Sequence, residues 1–535
     1  MKPTLIHHFL ENSAQKYPEK VALIHEDIRA TYSQINKMAN SLAYWLIDTG
    51  IRNGDRVIFI LENSLEYVVA YYGILKAGAV AVPLNTDLKP DGFNKLIAEL
   101  EPEVILTNNR FERLIKASDQ SLIQKLKLII KNPKLTWPTG YSIFSFDEIV
   151  SDAFIREPES SIQYQDNSEP LNEKPNNPKP GTRNPDDLSS IIYTSGSTGK
   201  PKGVMLSHKN IASNTHSICE YLELTEKDIQ MVVLPFFYVM GKSLLNTHFA
   251  VGATVVINNK FAYPATVINQ MIEENVTGFS GVPSTYAYLL NRSPLKNHRK
   301  ELSFLRYCSQ AGGHMSKQVK LDLRKALPDH TRIYIMYGAT EASARLTYLD
   351  PEYFEDKIDS IGKAIPGVTV KVLGQDDQEV QCGEEGQLVG YGPSIMNGYW
   401  KDKDSTDKVL INNGYHTGDL GYKDKEGFFF VTGRKDNLLK VKGHRINIQE
   451  IEDVLMDTGF LVETVVLGIK DDLLGNKLIS IAVPVDENID KKIILKRCSE
   501  KLPEFKLPQE IRFIRSLPKN SSGKIDRAKC LEMFN

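Results

Sequence analysis

The sequence predicts an α/β fold: a large N-terminal domain of αβ layers with a β-rich subdomain, hinged to a small α/β C-terminal domain. Strand and helix patterns alternate to about residue 340, short strands and turns follow from Asp359, and a new compact α/β pattern begins after Gly433–Asp436. With 535 residues, the chain is too long for one ordinary core, so two or more domains are expected.

The first part of the chain reads as alternating helices and strands. Apolar residues at helical spacing predict a helix over 33–49, and Arg56–Leu61 reads as a buried strand. A helix over 66–78 ends at Gly78, before a strand at 79–84. This alternation implies largely parallel sheets.

Shorter elements dominate the rest of the chain. Strands at 368–373, 386–389 and 427–431 predict a β-rich subdomain that closes a large domain of residues 1–433. Residues 434–438 are the predicted hinge, and residues 439–535 are the predicted small mobile domain. Its expected elements are helix 449–457, strand 463–468, strand 479–483 and helix 491–501.

Bulk composition restricts the class of protein. Hydrophobic residues make up 41% and charged residues 25%, as in soluble globular proteins, and the net charge of −2 gives no electrostatic reason to expect nucleic acid or an anionic membrane. The five cysteines form no C-x-x-C pair, which argues against a zinc site and suits a reducing compartment. No signal peptide or apolar span of ~18 residues is seen. A cytoplasmic protein is expected.

Residues 193–203, Tyr-Thr-Ser-Gly-Ser-Thr-Gly-Lys-Pro-Lys-Gly, carry most information. A strand at 188–193 leads into this run, and a helix pattern resumes near Leu206, so a strand–loop–helix phosphate cradle is predicted. A Walker A loop is excluded, because its second glycine should lie five residues after Gly196, where Pro201 stands. The alternative to a phosphate cradle is a flexible surface loop. A second irregular segment, 156–187, reads as an exposed mobile loop. The predicted phosphate ligands are Thr194, Ser195, Gly196, Ser197, Thr198, Gly199, Lys200 and Lys202.

This loop resembles that of the adenylate-forming superfamily, which includes acyl-CoA synthetases, peptide-synthetase adenylation domains and luciferases. The resemblance covers almost the whole chain, because six further motifs follow in the family's order. It implies a ligase that uses ATP to activate a carboxylic acid as acyl-AMP, releases pyrophosphate and transfers the acyl group to a phosphopantetheine thiol. The six motifs are Leu75–Leu84, Met336–Glu341, Tyr415–Asp419, Gly433–Asp436, Lys440–Ile446 and Asn520–Arg527.

The resemblance also implies roles for individual residues. Lys524 is the predicted catalytic lysine, which neutralises charge as the carboxylate attacks the α-phosphate. Thr340 donates to that phosphate, and Glu341 binds Mg²⁺ as a hard oxygen ligand. Taken alone, the Thr-Glu pair would more often be a helix start.

The remaining nucleotide ligands follow from the same motifs. Asp419 accepts the ribose hydroxyls, Arg434 reaches ribose or phosphate, and Tyr337, after which Gly338 forms a turn, flanks the adenine. Gly312 and Gly313 belong to a segment that resembles the adenine-side loop. Asp419 follows a glycine at a predicted strand–turn boundary, and without the neighbouring motifs it would be read as an ordinary turn aspartate.

Motion of the small domain is implied by the resemblance as well. In relatives this domain rotates about the residue matched by Asp436, and the loop with Lys442 and Gly443 then lines the tunnel for the thiol. A glycine suits close backbone approach in a narrow tunnel.

The acid and the acceptor are predicted from conflicting signals. The acid pocket is expected at Tyr238, Gly241 and Lys242, and Tyr238 is neither the His of many acyl-CoA synthetases and luciferases nor the Asp that pairs with an α-ammonium. The loop 440–446 resembles that of amino-acid adenylation enzymes. The main hypothesis is therefore a free-standing enzyme that loads an amino acid such as L-proline onto a carrier protein.

Other functions remain open at this point. A CoA synthetase for a fatty or aryl acid is the alternative within the superfamily. A luciferase-like oxygenase would need a special pocket, for which nothing calls, and a non-catalytic module should have lost Lys524 or Glu341, which are both present.

Overall fold

The computed structural model describes residues 4–133, 140–151, 184–194, 201–435, 438–441, 444–471, 475–520 and 523–533. The chain forms two compact units. The first comprises Met1–His216, Phe249–Gly252 and Met396–Asp402, and the second comprises Ser217–His248, Ala253–Ile395 and Lys403–Asn535.

Sixteen α-helices are found in the described residues. They are α1 His7–Lys16, α2 Tyr32–Asp48, α3 Leu65–Ala77, α4 Pro90–Leu100, α5 Glu112–Lys116, α6 Gln120–Ile123, α7 Phe146–Val150, α8 His208–Tyr221, α9 Val239–Val251, α10 Pro264–Glu273, α11 Pro283–Arg292, α12 Lys317–Ala326, α13 Lys403–Val409, α14 Ile448–Met456, α15 Lys491–Ser499 and α16 Arg527–Glu532. Among the described residues, none of these helices has the length and apolar character that crossing a bilayer requires.

Strands fall into two series along the chain. Up to residue 281 they are β1 Val21–His25, β2 Ile28–Thr31, β3 Arg56–Phe59, β4 Val80–Pro83, β5 Val104–Asn108, β6 Lys127–Lys131, β7 Ser142–Ser145, β8 Leu188–Thr194, β9 Lys202–Ser207, β10 Ile229–Val232, β11 Thr254–Ile257 and β12 Gly278–Gly281. Beyond it they are β13 Tyr307–Gln310, β14 Arg332–Tyr337, β15 Thr347–Leu349, β16 Lys363–Ala364, β17 Thr369–Leu373, β18 Gly386–Tyr391, β19 Gly398–Tyr399, β20 Leu410–Ile411, β21 Gly414–Lys423, β22 Phe429–Arg434, β23 Leu438–Val441, β24 His444–Asn447, β25 Leu461–Asp471, β26 Gly475–Pro484 and β27 Glu510–Phe513.

The first unit is built on an eight-stranded sheet in the order β19-β9-β8-β4-β3-β5-β6-β7. Its neighbours from β8 to β7 are parallel, as the alternation of strands and helices predicts. Helix α2 begins with a capping box between Thr31 and Gln34, and α3 ends at Gly78 with φ of 90°. The predicted helices and strands at 33–49 and 56–84 are therefore confirmed, and each predicted end lies within two residues of the observed one.

One expectation about the phosphate loop is wrong. The residues around Leu206 form strand β9, which pairs antiparallel with β8 and places Lys202 opposite Thr194. Helix α8 begins only at His208. Residues 202–207 therefore extend the sheet before the helix begins, because pairing with β8 supplies partners for their backbone N–H and C=O groups.

The second unit contains a mixed sheet whose strands run in the order β16-β15-β14-β13-β12-β10-β11. Strands β11, β10, β12, β13 and β14 are parallel, whereas β15 and β16 are antiparallel additions. The carboxyl ends of the parallel strands therefore meet at one edge, where ligands usually bind in open α/β sheets.

A β-rich part follows the parallel strands, as predicted. Strands β17, β18, β21 and β20 form an antiparallel sheet, and β22 pairs with β21. Val370, Val372, Leu388 and Phe429 lie in its apolar core.

The C-terminal stretch of the second unit has its own three-stranded sheet, β25-β26-β27, and the hairpin β23-β24. Ile451 and Leu455 of α14 pack with Ile494 and Cys498 of α15 in one buried cluster. The predicted α/β class, with a large N-terminal and a small C-terminal part, is confirmed. The hinge at 434–438 stays a prediction, and Asp436 lies outside the described residues, as does most of the predicted mobile loop.

Candidate active site

The glycines that the motifs assign to a nucleotide site lie at the carboxyl edge of the parallel strands. Gly312 and Gly313 follow β13, and Gly338 follows β14. Gly338 is required sterically, since a Cβ placed there would lie 2.1 Å from Ala344 O. Two backbone segments thus approach the crevice without side chains that would fill it.

Asp419 is bound from two directions. The hydroxyl of Tyr337 donates to Asp419 Oδ2 over 2.5 Å, and Arg434 Nη1 lies 3.2 Å from Asp419 Oδ1. Burial, followed by the neighbouring Asp419 carboxylate, raises the pKa of Tyr337 well above its ordinary value, so the phenol remains a donor. The backbone N–H of Asp419 donates to Thr417 Oγ1 over 3.0 Å.

The expected turn at Asp419 is not present. Asp419 lies inside the long strand β21, whose pairing with β18 shifts register so that residues 417–419 lie opposite the single residue Leu388. Gly418 has φ of 77°, and a Cβ there would lie 3.2 Å from Arg434 Nη2. The bulged strand turns the carboxylate toward Tyr337, a role that short bulges often have near active sites.

Lys524 is carried by a tight turn. Gly523 has φ of 78°, the backbone N–H of Lys524 donates to Asn520 Oδ1 over 3.1 Å, and Asn520 N donates to Lys524 O over 2.8 Å. The Lys524 Cε atom lies 3.5 Å from the position that a Cβ at Gly312 would occupy. The Lys524 side chain therefore enters the crevice beside Gly312.

The charges around Lys524 suit a residue that neutralises anions. The residue is exposed as a whole, but burial at its ammonium end lowers the pKa of Lys524 below its ordinary value. The carboxylates of Glu341 and Asp419 act in the opposite direction, and Arg434 adds to the lowering. The four motifs from which these residues come thus converge on one small volume.

A cavity of about 410 Å³ occupies this volume. Such a size is within the range of about 300–1,000 Å³ that is usual for ligand pockets. Its lining includes the predicted residues Gly312, Gly313, Tyr337, Gly338, Asp419, Arg434 and Lys524.

Several cavity residues were not predicted from the sequence, among them Lys320, Asp359, Val431, Asn447 and Gln449. Lys320 is buried, donates from Nζ to Ile358 O over 2.6 Å, and has its pKa lowered to about 8, chiefly by burial. It lies in α12, whose sequence reads as an ordinary amphipathic helix. No local signal in the sequence distinguishes it from a surface lysine.

Thr340 and Glu341 begin a short 3₁₀ turn, Thr340–Ala342, directly after the Gly338 bend. Both residues are half-buried. The Glu341 carboxylate is near enough to Lys524 to raise its pKa, and carboxylate oxygens are ligands that Mg²⁺ prefers. The chemistry and placement of Glu341 therefore fit a divalent cation, which this carboxylate would hold near Lys524.

The predicted acid-pocket residues begin helix α9. A Cβ at Gly241 would lie 2.2 Å from Pro235 O, so this glycine permits a close turn before the helix. Lys242 is 1% exposed, and burial lowers its pKa well below the ordinary value. The Sδ atom of Met240 lies 3.9 Å from the Cβ position at Gly312, which brings the start of α9 to the glycine loop. Tyr238 packs its ring 4.7 Å from that of Phe237. None of the three predicted residues lines the 410 Å³ cavity.

The remaining predicted residues fall into two groups. Thr194 and Lys202 belong to the first unit, where Thr194 Oγ1 and Lys202 O are 3.5 Å apart and Lys202 Nζ lies 4.9 Å from the centre of the Tyr399 ring. The others lie outside the described residues: Ser195, Gly196, Ser197, Thr198, Gly199, Lys200, Asp436, Lys442 and Gly443.

Comparison with known proteins agrees with this geometry. Residues 10–400 match the family model described as AMP-binding enzyme, and residues 450–524 match that of the AMP-binding enzyme C-terminal domain. The chain is similar to an indoleacetate–CoA ligase of Aromatoleum aromaticum, with 28% identity over 97% of this chain and 96% of the relative. It is 29% identical to a long-chain-fatty-acid–CoA ligase of Bacillus subtilis, over 98% of this chain and 93% of the relative.

Solved structures show the same fold along the full length. The anthranilate CoA ligase AuaEII in complex with anthranoyl-AMP is similar with a TM-score of 0.86 and 25% identity, over 99% of this chain and 97% of the other. The o-succinylbenzoate CoA synthetase MenE from Bacillus subtilis, in complex with ATP and magnesium ion, has a TM-score of 0.77 and 26% identity, over 97% and 98%. The chain is an AMP-forming acid–thiol ligase and belongs to the AMP-binding enzyme family, the adenylate-forming superfamily that its motifs resemble.

Proposed function

We propose that this protein is an acid–CoA ligase that activates an aryl or fatty carboxylic acid. The observation that carries the proposal is the convergence of Lys524, Asp419 and Arg434 on one cavity of about 410 Å³, with the Glu341 carboxylate near enough to raise the pKa of Lys524. The relatives named above are CoA ligases, and this supports CoA as acceptor over the carrier protein and L-proline that the sequence first suggested. The alternative drawn from the sequence is thus the better supported one.

In the first half-reaction, a carboxylate oxygen of the acid attacks the α-phosphorus of ATP. The bond from this phosphorus to the oxygen that bridges to the β-phosphate breaks, and pyrophosphate leaves with the electron pair. Two anions must approach each other, so fixed positive charge and positioning supply most of the acceleration. Lys524 extends into the crevice, where the carboxylates of Glu341 and Asp419 both act on its ammonium and where that ammonium would offset this charge.

The nucleotide is held by the other lining residues. Asp419 is fixed by Tyr337 and Arg434, which leaves its carboxylate oriented to accept ribose hydroxyls. The backbone at Gly312 and Gly313 offers a surface without side chains against which a flat base can lie. Thr340 begins its 3₁₀ turn at the same edge, where its hydroxyl would donate to the α-phosphate.

Magnesium fits Glu341. The half-buried carboxylate is a hard oxygen donor close to the Lys524 ammonium, where the phosphates would lie. When bound, the ion would neutralise phosphate charge. Glu341 would hold the ion at a fixed place relative to Lys524.

In the second half-reaction, the thiol of CoA attacks the acyl carbon of acyl-AMP. The acyl–oxygen bond breaks, AMP leaves with the electron pair, and the thiol proton passes to solvent. This step requires no attack on phosphorus. We therefore expect Lys524 to matter far less in it than in the first.

The test is ATP–pyrophosphate exchange over a panel of aryl acids, fatty acids and amino acids including L-proline. Thioester formation is then measured with CoA and with a holo-carrier protein. Exchange with an aryl or fatty acid, followed by thioester formation on CoA, is the expected result. Exchange with proline and transfer only to the carrier protein would refute the proposal and restore the first hypothesis. Lys524→Ala serves as the inactive control for exchange.

A further inference from the structure

Helix α11 presents one row of side chains to the segment that carries Lys524. Ser284, Tyr288 and Arg292 are spaced by four residues, so they lie on the same helical face. We call these three residues the α11 row. All three contact residues between 515 and 523.

The row makes three different contacts. Ser284 Oγ donates to Gly523 O over 2.5 Å, immediately before Lys524. Lys519 Nζ lies 4.1 Å from the centre of the Tyr288 ring, which is cation–π distance. Arg292 Nη2 donates to Arg515 O over 3.4 Å. The row therefore contacts the residue before Lys524, the residue before the turn that begins at Asn520, and a residue further upstream.

Lys519 is fixed from its other side by a buried carboxylate. Glu463 of β25 is 6% exposed, and Lys519 Nζ lies 2.8 Å from its Oε1 atom. Burial raises the pKa of Glu463, whereas the Lys519 ammonium lowers it. Lys519 also forms a β-bridge with Ile525 across the turn. Its side chain is thus held between the Tyr288 ring and Glu463, while its backbone closes the turn around Lys524.

Apolar packing supports the same arrangement. Ala287, on the same side of α11, lies in one buried cluster with Val465, Leu517 and Cys530. Val282, the residue before α11, is 3.1 Å from the Cβ position at Gly312 and 3.3 Å from that at Gly523. Helix α11 follows directly from strand β12 of the parallel sheet. A rigid sheet edge is therefore connected to the lysine turn through one helix.

We propose that the α11 row is the platform that positions Lys524 for acyl-adenylate formation, with Ser284 and Tyr288 as positioning residues. This inference rests on the proposed function, because it assigns these residues to its first half-reaction. A lysine on a long stem is effective only when its backbone is fixed, because small misplacements reduce catalysis strongly. The second half-reaction, with no attack on phosphorus, should not need the platform.

The variants Ser284→Ala and Tyr288→Leu remove the hydroxyl and the ring, and Ser284→Thr and Tyr288→Phe retain them. We expect each of the first pair to lower kcat of ATP–pyrophosphate exchange about 5-fold, as expected for losing one hydrogen bond or cation–π contact, with the KM for ATP nearly unchanged. Each conservative variant should restore activity to within about twofold of wild type. Asn291→Ala, on an exposed position of the same helix, is the matched control and should have wild-type activity.

A second readout measures the platform without activity. Hydrogen exchange of the backbone amides at 515–520 and 523–527 should accelerate in Ser284→Ala and Tyr288→Leu of the full chain, and remain unchanged in Asn291→Ala. Thioester formation from supplied acyl-AMP should stay near wild type in all variants.

The outcomes distinguish failure of the platform proposal from failure of the proposed function. Equal losses of activity in both half-reactions would refute the platform. So would an unchanged rate of ATP–pyrophosphate exchange together with unchanged hydrogen exchange of the backbone amides. If wild type forms no acyl-adenylate with any acid, the proposed function fails. Faster amide exchange in the two disruptive variants would in that case still support the contact between α11 and the lysine turn, whereas its absence would refute it. Ser284→Ala decides the matter if Tyr288→Leu does not fold.

Discussion

Tyr337 donates its hydroxyl to Asp419 Oδ2 over 2.5 Å, and Arg434 approaches the other oxygen of the same carboxylate at 3.2 Å. The tyrosine ends the parallel strand β14, and the aspartate lies in the antiparallel strand β21. The contact between Tyr337 and Asp419 joins the mixed sheet that contains β14 to the β-rich part, at the point where we propose that a nucleotide binds. Together with Arg434, it orients the Asp419 carboxylate through both of its oxygens.

Asp419→Asn should raise the KM for ATP about 10- to 100-fold, because hydrogen bonds to a charged acceptor contribute more than neutral ones. Steady-state kinetics at fixed acid concentration measures the change. Tyr337→Phe should have a smaller effect, since the carboxylate keeps its contact with Arg434. Asp377→Asn, on an exposed position, is the matched control. An unchanged KM in Asp419→Asn would contradict the assignment of Asp419 to the ribose.

Lys524→Ala should lower the rate of acyl-adenylate formation by at least about 100-fold, on the scale of losing one preorganised electrostatic contact to the transition state. Thioester formation from supplied acyl-AMP should be nearly normal. Rapid-quench measurement of each half-reaction separates the two. Lys529→Ala removes an exposed lysine from the next helix and should leave both rates unchanged. Equal losses in the two half-reactions would show that Lys524 has another role.

Glu341→Gln should raise the Mg²⁺ concentration needed for half-maximal exchange, because it removes the carboxylate charge and keeps the shape of the side chain. The fold should remain intact, as circular dichroism can verify. Glu385→Gln, an exposed residue of the same unit, is the control. Wild-type exchange at limiting as well as saturating Mg²⁺ would exclude Glu341 as the ligand.

The buried Lys320 predicts a pH dependence of stability. Its pKa falls from 10.5 to about 8 in the folded protein, so the unfolded chain binds more protons between these values. Stability should therefore rise with pH in that window, by about 2 kcal/mol between pH 8 and pH 10 relative to Lys320→Met, which has no such proton. Urea denaturation of both proteins at pH 7, 8, 9 and 10 measures the difference. A constant difference would mean that Lys320 titrates normally.

Local patterns were sufficient for most of the secondary structure. The periodicity of residues 33–49 and 449–457 predicted helices α2 and α14, because one apolar stripe is readable without knowing its partner. The residues near Leu206 were misread as helical. Whether such a short run becomes a strand depends on an available neighbour, and β8 supplies it.

The motifs predicted which residues line the cavity more accurately than they predicted the local structure of those residues. Gly312, Tyr337, Asp419, Arg434 and Lys524 were each marked by neighbours in the sequence, and all five line one cavity. Asp419 was expected in a turn but lies in a bulged strand, since strand pairing over 414–423 is formed with distant segments. Lys320 and the α11 row carried no sequence signal. Their roles arise from what they contact.

The sequence by itself determined the α/β class and the family, and it predicted which residues carry chemistry, because periodicity and spaced motifs are properties of the chain alone. Only the tertiary structure decided which side chains meet. The contact of Ser284 with Gly523 joins positions 239 residues apart, and burial, which lowers the pKa of Lys320 and Lys524, depends on atoms from many segments. Contacts across such separations and desolvation are produced by packing, and no local pattern encodes them.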